Sequence, residues 1–297
     1  MLSIVIPTYN YNIYPLVCEL EQQALKLNIP FEIICIDDGS FSHLNKENQK
    51  INTLSNSVFT ENRKNIGRSK VRNLLAKKAK YEWLLFLDAD VFPKNNSFLE
   101  TYLNSISKSS ELIYGGILYH DNSPSHENLL RWLYGKKREA LNAELRNKNK
   151  YLRFLTLSFL IKKNVFNKVK FNEDIPNNRH EDTLFAYDLK KANINLKHID
   201  NPVYHLGLES SKTFLEKSLL SVEAILVITK KRFLSKNYTS ITKALSISKL
   251  FLINHLLAFF YVKFKSNFEN NLLSKKPSLF YFDLYRLCYL CYLDKNS

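Results

Sequence analysis

Two aspartates separated by one residue are the first feature of this sequence that could bind a metal ion. Asp88 and Asp90 directly follow the apolar run Trp83–Leu87, which has the length and composition of a buried β-strand. Two carboxylates at a strand end can share a hard divalent cation such as Mn²⁺ or Mg²⁺, which keeps open positions for diphosphate oxygens. The triplet alone is weakly specific, since a solvated turn contains it as readily. A buried strand that ends in two acids, however, favours a functional role, because it places charge beside a core.

Polar clusters follow two other predicted strands. Leu2–Pro7 is followed by Thr8-Tyr9-Asn10, and Phe31–Ile36 by Asp37-Asp38-Gly39. Helical segments separate these apolar strands, which indicates a mainly parallel sheet flanked by helices on both faces. Because ligands bind such sheets at the carboxyl ends of the strands, we expect the three polar clusters to lie together.

The pattern of elements divides the chain into three regions. We predict a catalytic domain over residues 1–210, with a nucleotide-binding half up to about residue 110 and an acceptor half over 111–210, and a helical region over 211–297. Other predicted elements are strands at 57–60, 112–118 and 155–161, helices at 15–27, 67–79, 126–146 and 179–191, and extended pieces at 195–199 and 203–205.

Two common phosphate-binding motifs are absent from the sequence. No GxGxxG follows the first strand and no GxxxxGK[ST] occurs anywhere, which excludes a dinucleotide-binding fingerprint and a P-loop. An anionic ligand therefore needs another partner, and the paired acids indicate a metal ion.

The charge and the cysteines limit the partners. The formal net charge is +15, concentrated beyond residue 210, but no segment resembles a nucleic-acid recognition module, so we expect no nucleic-acid partner. The apolar segment 244–262 is interrupted by Lys249, Asn254 and His255, which predicts an amphipathic helix on a membrane surface, or a helical cap on the catalytic domain, rather than a membrane span. The unclustered cysteines fit a reducing cytoplasm, and Cys288 and Cys291 are expected to be structural.

Four blocks, in this order and spacing, resemble glycosyltransferase family 2. They are Ser3–Asn10, Ile36–Ser40, Asn65–Gly67 with Arg72-Asn73, and Leu87–Asp90. Glu181-Asp182 stands where that family carries its ED motif. The resemblance covers residues 2 to 210. It implies a GT-A fold, which is Rossmann-like, and an inverting, metal-dependent hexosyl transfer from a nucleotide sugar, a UDP-sugar above all.

The resemblance also implies roles for individual residues. Asp90 and Asp88 would bind the metal ion, and Asp182, beside Glu181, would be the general base. The implied donor-binding residues are Pro7, Thr8, Tyr9, Asp37, Gly67, Arg72 and Asp88.

Further site residues are suggested by their types, each with a structural alternative. His205 is a candidate metal ligand, because imidazole suits manganese, although lone histidines are more often structural. Trp132 could stack on an acceptor sugar or pack in the core, and His180 could orient Glu181-Asp182 or contact the acceptor. Arg72 could instead pair with an acid on the sheet, and Asp38 is expected to hydrogen-bond its turn.

The predicted function is synthesis of a bacterial cell-surface glycan on a glycan or lipid-linked acceptor, in the cytoplasm or on the inner face of the membrane. Two alternatives are a nucleotidyltransferase and a catalytically silent scaffold that binds membrane or a partner enzyme. A nucleotidyltransferase would usually have a loop rich in glycine and basic residues after the first strand, and this sequence has none. The presence of Asp88, Asp90 and Asp182 argues against a silent scaffold. Arg179 and Ser158 depart from the family pattern, which has glycine and asparagine there, and could alter the acceptor pocket.

Overall fold

The protein is described by a computed structural model that covers residues 1–175 and 179–296. These residues form two compact units. The first comprises residues 1–119, 139–173 and 181–207, and the second residues 120–138, 174–175, 179–180 and 208–296. Both units are discontinuous along the chain, whereas the predicted domains are continuous.

The strands all lie in the first unit. They are β1 (Leu2–Thr8), β2 (Phe31–Asp37), β3 (Ser57–Glu61), β4 (Trp83–Leu87), β5 (Val91–Pro93), β6 (Leu112–Tyr114), β7 (Ile117–Leu118), β8 (Ser158–Lys162), β9 (Leu196–His198) and β10 (Val203–His205). A seven-stranded sheet has the order β3-β2-β1-β4-β8-β6-β9, in which only β8 runs antiparallel to its neighbours. A small sheet has the order β5-β10-β7. The predicted mainly parallel sheet is thus confirmed.

The helices are distributed over both units. They are α1 (Tyr14–Lys26), α2 (Asn45–Asn48), α3 (Arg68–Lys78), α4 (Phe98–Asn104), α5 (Leu129–Tyr134), α6 (Ala143–Asn147), α7 (Lys163–Lys168), α8 (Glu181–Lys191), α9 (Ser211–Lys230), α10 (Ser240–Leu250), α11 (Asn254–Leu272) and α12 (Leu279–Lys295). Short 3₁₀ turns cover Gln49–Thr53 and His126–Asn128. Helices α5 and α9 to α12 belong to the second unit.

The central strands are buried on both faces. Along β1, Ile4 and Ile6 pack into the core that includes α1, whereas Val5 packs into the core that includes α3. Strand β4 alternates in the same way, with Leu85 in the first core and Phe86 in the second. Burial on both faces explains why these strands are continuous apolar runs without polar alternation.

The predicted strand at 112–118 is wrong, because it divides between the two sheets. Gly116 has φ +100°, which lets the chain leave β6 and start β7. Gly115 lies so close to Asn201 that a Cβ atom would be 2.3 Å from the Asn201 carbonyl oxygen. The two glycines therefore form a sheet-switching turn.

Two predicted helices are also interrupted. The segment 126–146 contains α5, a π-helical turn at Gly135–Glu139 and then α6, which starts anew because the Asn142 side chain accepts a hydrogen bond from the Leu145 N–H. The segment 244–262 divides into α10 and α11, which meet at an angle of 115°. Apolar periodicity did not reveal either break.

The C-terminal cysteines lie in the core of the second unit. Cys288 and Cys291 are buried on α12, and Cys291 lies 3.7 Å from the Ser248 hydroxyl. Burial raises the pKa of Cys288 to about 12, which keeps it a neutral thiol. All four cysteines are free.

A buried arginine joins the strand ends of the acceptor half. Arg146 is 2% exposed, and its guanidinium donates to the carbonyls of Leu141 (2.8 Å), Ile199 (2.8 Å) and Gly115 (3.2 Å). It also lies 3.1 Å from His198 Nδ1. Burial, with the charge of Arg146, lowers the pKa of His198 to about 4, so the neutral ring can accept this hydrogen bond.

We predict that Arg146→Met will lower the free energy of unfolding by roughly 3 kcal/mol or more, because several buried carbonyls lose their donor. Urea unfolding followed by circular dichroism will measure the change. Lys148→Met is the matched control, since Lys148 is exposed and pairs with the exposed Glu144. Equal midpoints for the two variants would contradict the structural role of Arg146.

Candidate active site

Three adjacent strands of the main sheet end in polar residues at the same edge. Thr8, the last residue of β1, pairs with Asp37, the last residue of β2, and the Asp38 N–H donates to the Thr8 carbonyl at 2.9 Å. Asp88 follows β4, the other neighbour of β1. The structure thus brings the three polar clusters together, as the sequence predicts.

The neighbouring aspartates Asp37 and Asp38 have different partners. The buried Asp37 carboxylate accepts hydrogen bonds from the Ser40 N–H (2.8 Å) and the Ser40 hydroxyl (2.7 Å). Asp38 accepts from the N–H groups of Ile66 (3.0 Å) and Gly67 (2.9 Å), which lie in a distant loop, so its side chain does not bond its own turn as the sequence predicts. Each carboxylate oxygen has a second lone pair, so Asp37 keeps the capacity to accept from a ligand.

Asp38 holds a basic loop over the strand ends. The loop leads to Gly67, which caps α3 with φ +93°. A Cβ atom on Gly39 would lie 2.4 Å from the Lys64 backbone, so the two turns are in close contact. The loop and the first residue of α3 carry the exposed cations Arg63, Lys64 and Arg68. A cationic rim of this kind attracts an anionic ligand.

A buried ion-pair triad joins β4, α3 and α8. Arg72 is 4% exposed and donates to Asp88 Oδ1 at 2.7 Å and to Glu181 Oε1 at 3.5 Å. Its guanidinium lies 5.2 Å from the centre of the Phe171 ring. Burial lowers the pKa of Arg72, but the negative charges of Asp88, Glu181 and Asp182 outweigh burial, so the pKa is raised overall. Of the two roles that the sequence suggests for Arg72, donor binding or a pair with an acid on the sheet, the structure shows the pair.

The acidic pair at 181–182 opens α8. Glu181 is buried, and its burial together with the charge of Asp182 raises the Glu181 pKa, although Arg72 and Arg68 oppose the shift. Asp182 is half-buried, and its Oδ1 accepts a hydrogen bond from the Thr183 N–H at 2.6 Å. Both carboxylates lie at the positive end of the helix dipole, where acidic residues stabilise a helix.

Asp90 and His205 face each other across the small sheet. The antiparallel pairing of β5 and β10 places His205 opposite Val91, so its Nε2 lies 3.2 Å from Asp90 Oδ2. Burial raises the pKa of Asp90, but the hydrogen bond and charge of His205 outweigh it and lower the pKa overall. His205 is buried, and its Nδ1 has no partner in the described chain.

The acids of this site fit a divalent cation that is held jointly with a ligand. Among residues 1–175 and 179–296, no three His, Cys, Asp or Glu side chains form a complete metal cluster, and Asp88 is turned toward Arg72. Asp90 Oδ2 and His205 Nε2, however, have the spacing of about 3 Å expected of neighbouring ligands around a small cation. Mg²⁺ and similar ions use one or two protein ligands plus substrate phosphates, so such a pair suffices.

Three residues near Asp90 escaped the sequence reasoning. Gly207 lies against Asp90 so closely that a Cβ atom would be 2.2 Å from Oδ2. Burial, then the charge of Asp90, raises the pKa of Tyr11, which places this phenol near the same carboxylate. Arg68 is 72% exposed, lies 3.6 Å from Glu181 and also lowers the pKa of Asp90. Only Arg68 had a sequence signal, its position next to Gly67.

The loop after β1 exposes one of its predicted donor-binding residues. Tyr9 is exposed and precedes Asn10, whose φ is +53°, whereas Thr8 is buried and its hydroxyl lies 3.4 Å from the Tyr11 carbonyl. Pro7 lies within β1. Asn48 fixes the loop by donating to the Tyr11 carbonyl at 2.9 Å.

The two predicted acceptor residues belong to the second unit. Trp132 is half-buried, and its indole N–H donates to the His120 carbonyl at 2.9 Å. His180 has φ +63°, and its Nε2 lies 2.8 Å from the Ser221 hydroxyl on α9. Ser158, in the first unit, is buried and hydrogen-bonds the Tyr102 hydroxyl. The acceptor roles of Trp132 and His180 stay predictions.

Comparison with known proteins gives one consistent family. The sequence profile of Glycosyl transferase family 2 matches residues 3–175. A chondroitin synthase from Pasteurella multocida is 32% identical over 120 residues, which are 39% of this chain and 12% of that protein. Glycosyltransferase GlyG from Streptococcus pneumoniae is 26% identical over 183 residues, 58% of this chain and 60% of that protein. The chain therefore spans less than two thirds of either relative.

Similar solved structures confirm the predicted GT-A fold. S. aureus TarS 1-349 in complex with UDP-GlcNAc has a TM-score of 0.50 and 23% identity, covering 76% of this chain and 66% of that one. The same protein in complex with UDP has a TM-score of 0.52 and 20% identity, and the match covers 99% of this chain and 91% of that one. The mannosyltransferase PcManGT from Pyrobaculum calidifontis, in complex with GDP-Man and Mn²⁺, has a TM-score of 0.52 and 14% identity. The match covers 77% of this chain and 64% of that one.

We predict that Gly207→Ala will displace the Asp90 carboxylate and weaken Mn²⁺ binding by roughly tenfold or more, as expected for a residue that orients a metal ligand. Titration calorimetry with Mn²⁺ in the presence of UDP will measure the affinity. Leu206→Ala is the control, since the Leu206 side chain is exposed. Unchanged affinity in Gly207→Ala would show that Asp90 does not hold the ion.

Proposed function

We propose that this chain, which belongs to glycosyltransferase family 2, transfers a hexose from a UDP-sugar to an acceptor hydroxyl with inversion at the anomeric carbon. The chain is a glycosyltransferase with the GT-A fold. The observation that carries the proposed reaction is the convergence of Asp37, Asp88, Asp90 and the pair Glu181-Asp182 near one edge of the sheet. Arg68 connects the two ends of this group, because its charge acts on both Asp90 and Glu181.

The donor nucleotide would lie over the ends of β1 and β2. Asp37 is held by Ser40 and would accept the imide N–H of the base, with the exposed Tyr9 beside it. Thr8 and Pro7 would form the floor of this pocket. The exposed Arg63, Lys64 and Arg68 would approach the diphosphate, since Gly67 allows the backbone to come close. Complexes of TarS with UDP-GlcNAc and UDP support a uridine nucleotide.

Mn²⁺ or Mg²⁺ would be held by Asp90 and His205, with Asp88 beside them. The ion, when bound, neutralises the charge that grows on the leaving diphosphate. His205 would give up its hydrogen bond to Asp90 in favour of the cation, so binding requires the neutral imidazole. The complex of PcManGT with GDP-Man and Mn²⁺ supports a divalent ion.

Asp182 would act as the general base. Its carboxylate takes the proton of the acceptor hydroxyl while that oxygen forms a bond to the anomeric carbon and the bond from this carbon to the diphosphate breaks. A single base on the face opposite the leaving group gives direct displacement and therefore inversion. Glu181 would orient this part of α8, because it binds Arg68 and Arg72.

The proposed acceptor is a glycan or a lipid-linked molecule of the bacterial cell surface, and the relative named chondroitin synthase supports a glycan. Trp132 and His180 remain candidate acceptor residues by their types. This part of the proposal rests on residue types, because aromatic and imidazole groups commonly bind sugars.

A panel of donors tests the proposed reaction. The full chain is incubated with Mn²⁺ and UDP-GlcNAc, UDP-glucose, UDP-galactose or GDP-mannose, and thermal shift and donor hydrolysis are measured. We expect one UDP-sugar to raise the melting temperature and to be hydrolysed slowly, and EDTA to abolish both effects. A response to GDP-mannose alone would contradict the uridine assignment, and an EDTA-insensitive response would contradict the metal.

Separate substitutions test the division between base and metal ligand. We expect Asp182→Asn to lower the transfer rate by at least about 100-fold while donor affinity stays within roughly twofold, because the base acts only on the acceptor. Asp90→Asn should instead lower Mn²⁺-dependent donor affinity. Glu173→Gln is the control, an exposed acid of the first unit. Loss of donor binding in Asp182→Asn would reject its role as the base.

A further inference from the structure

The second unit exposes a corner made entirely of apolar side chains. Helix α10 ends at Leu250 and α11 begins at Asn254, and the four residues from Leu250 to Ile253 are all apolar and exposed. Leu250, Phe251 and Leu252 are 77%, 68% and 78% exposed, values at which a leucine or phenylalanine contributes almost nothing to a core. No single helix in the described chain is long and apolar enough for a membrane span; α10 and α11 qualify only as a pair, and the pair is bent by 115°.

Both helices extend this apolar surface away from the corner. On α10, Ile247 lies one turn before Leu250, and on α11 the exposed apolar residues Leu256, Phe259 and Val262 recur at helical spacing. We call the following set the apolar corner: Ile247, Leu250, Phe251, Leu252, Ile253, Leu256, Phe259 and Val262. Such a contiguous exposed patch is unusual for a surface that faces only water.

The backbone of the corner adds an independent observation. Ile253 N–H donates to the Ser248 carbonyl (2.9 Å) and Leu252 N–H to the Lys249 carbonyl (3.1 Å), which is the hydrogen-bond pattern of a Schellman helix end. Leu252 occupies the left-handed position of that motif, with φ +59°. Glycine is favoured there, because a Cβ atom is strained at positive φ. The fold thus carries an exposed leucine at a position where neither packing nor backbone conformation favours it.

The segment that forms the corner carries only basic charges, and one of them, Lys249, pairs with Asp294 of α12 at 2.6 Å. Between Glu223 and Glu269 the sequence contains eight Lys and Arg and no Asp or Glu. Lys243 lies on the exposed stripe of α10 before Ile247, and Lys263 follows Val262 on α11, so a lysine stands at the far end of each apolar stripe. Lysines at both ends of an apolar surface can reach anionic headgroups while the apolar side chains enter the interface.

From these observations we infer that the apolar corner is a docking surface for an anionic lipid leaflet. Helices α10 and α11 would insert Leu250 to Ile253 and lie on the surface with Lys243 and Lys263 at the headgroups. A second copy of the chain is disfavoured as the occupant, because a symmetric contact would bring the exposed Lys243 and Lys263 of one copy close to those of the other. The inference concerns the second unit and does not depend on the donor chemistry. It places the protein on the inner face of the cell membrane, where a lipid-linked acceptor would be presented.

Vesicle sedimentation of the full chain tests this surface. We expect binding to vesicles of equimolar phosphatidylglycerol and phosphatidylcholine, little binding to phosphatidylcholine alone, and release as NaCl is raised. Leu252→Gly should keep or raise the melting temperature, since it removes the strained leucine, yet lower the partition coefficient roughly tenfold. Lys243→Gln and Lys263→Gln should each lower it roughly fivefold at low salt.

Matched controls lie in the first unit, at Leu152→Ser for an exposed leucine and Lys77→Gln for an exposed lysine, and both should bind vesicles like the wild type. Failure of the wild type to bind anionic vesicles, or equal binding by Leu252→Gly, would overturn the inference. If light scattering shows that the wild type is a dimer and that Leu252→Gly is a monomer, the corner binds a second copy of the chain instead. Unchanged UDP binding by Leu252→Gly would separate this outcome from any failure of the proposed reaction.

Discussion

The buried pairing of Arg72 with Asp88 and Glu181 is the interaction on which the site depends. Two carboxylates from distant parts of the chain, the end of β4 and the start of α8, could not remain ionised beside a core without a cation between them. One guanidinium satisfies both, because its fork of donors reaches two partners at once. The pairing fixes the position of α8, and hence of Asp182, relative to the sheet edge. Because removing these charges from water is costly, the pairing positions the acids but adds little to the stability of the fold.

The acids of the first unit divide into those occupied by the protein and those left for a ligand. The carboxylate oxygens of Asp38 accept hydrogen bonds from the backbone N–H groups of Ile66 and Gly67, and Asp88 accepts one from Arg72. Asp90 and Asp182 are only partly buried. Asp90 pairs with the His205 imidazole, and Asp182 accepts from the N–H and the hydroxyl of the adjacent Thr183. This division is what the chemistry needs: the occupied acids hold the loop and α8 in place, while the others can exchange a partner for a cation or a proton.

The two units satisfy different physical demands. In the first, apolar side chains cover both faces of the sheet, and buried polar groups such as Arg146 are matched by several acceptors. In the second, α9, α11 and α12 bury aromatic residues around Tyr285, yet the α10–α11 corner leaves leucine and phenylalanine in solvent. A chain that buries Leu272 completely and exposes Leu252 at a strained position has an apolar surface that folding does not use. An exposed apolar patch of this kind marks an interaction surface.

The sequence by itself determined the sheet, its mainly parallel order and the family, because strands buried on both faces read as continuous apolar runs and the polar residues at their ends follow in a fixed order. Only the tertiary structure decided which partner each acid has. Arg72 and Glu181 are 109 residues apart, and the proximity of His205 to Asp90 depends on the pairing of β10 with β5. The same limit hid Gly207, whose role arises from a close approach rather than from a motif. It also hid the breaks after Tyr114, Glu139 and Leu250, since apolar periodicity continues across a turn that long-range packing and local hydrogen bonds impose.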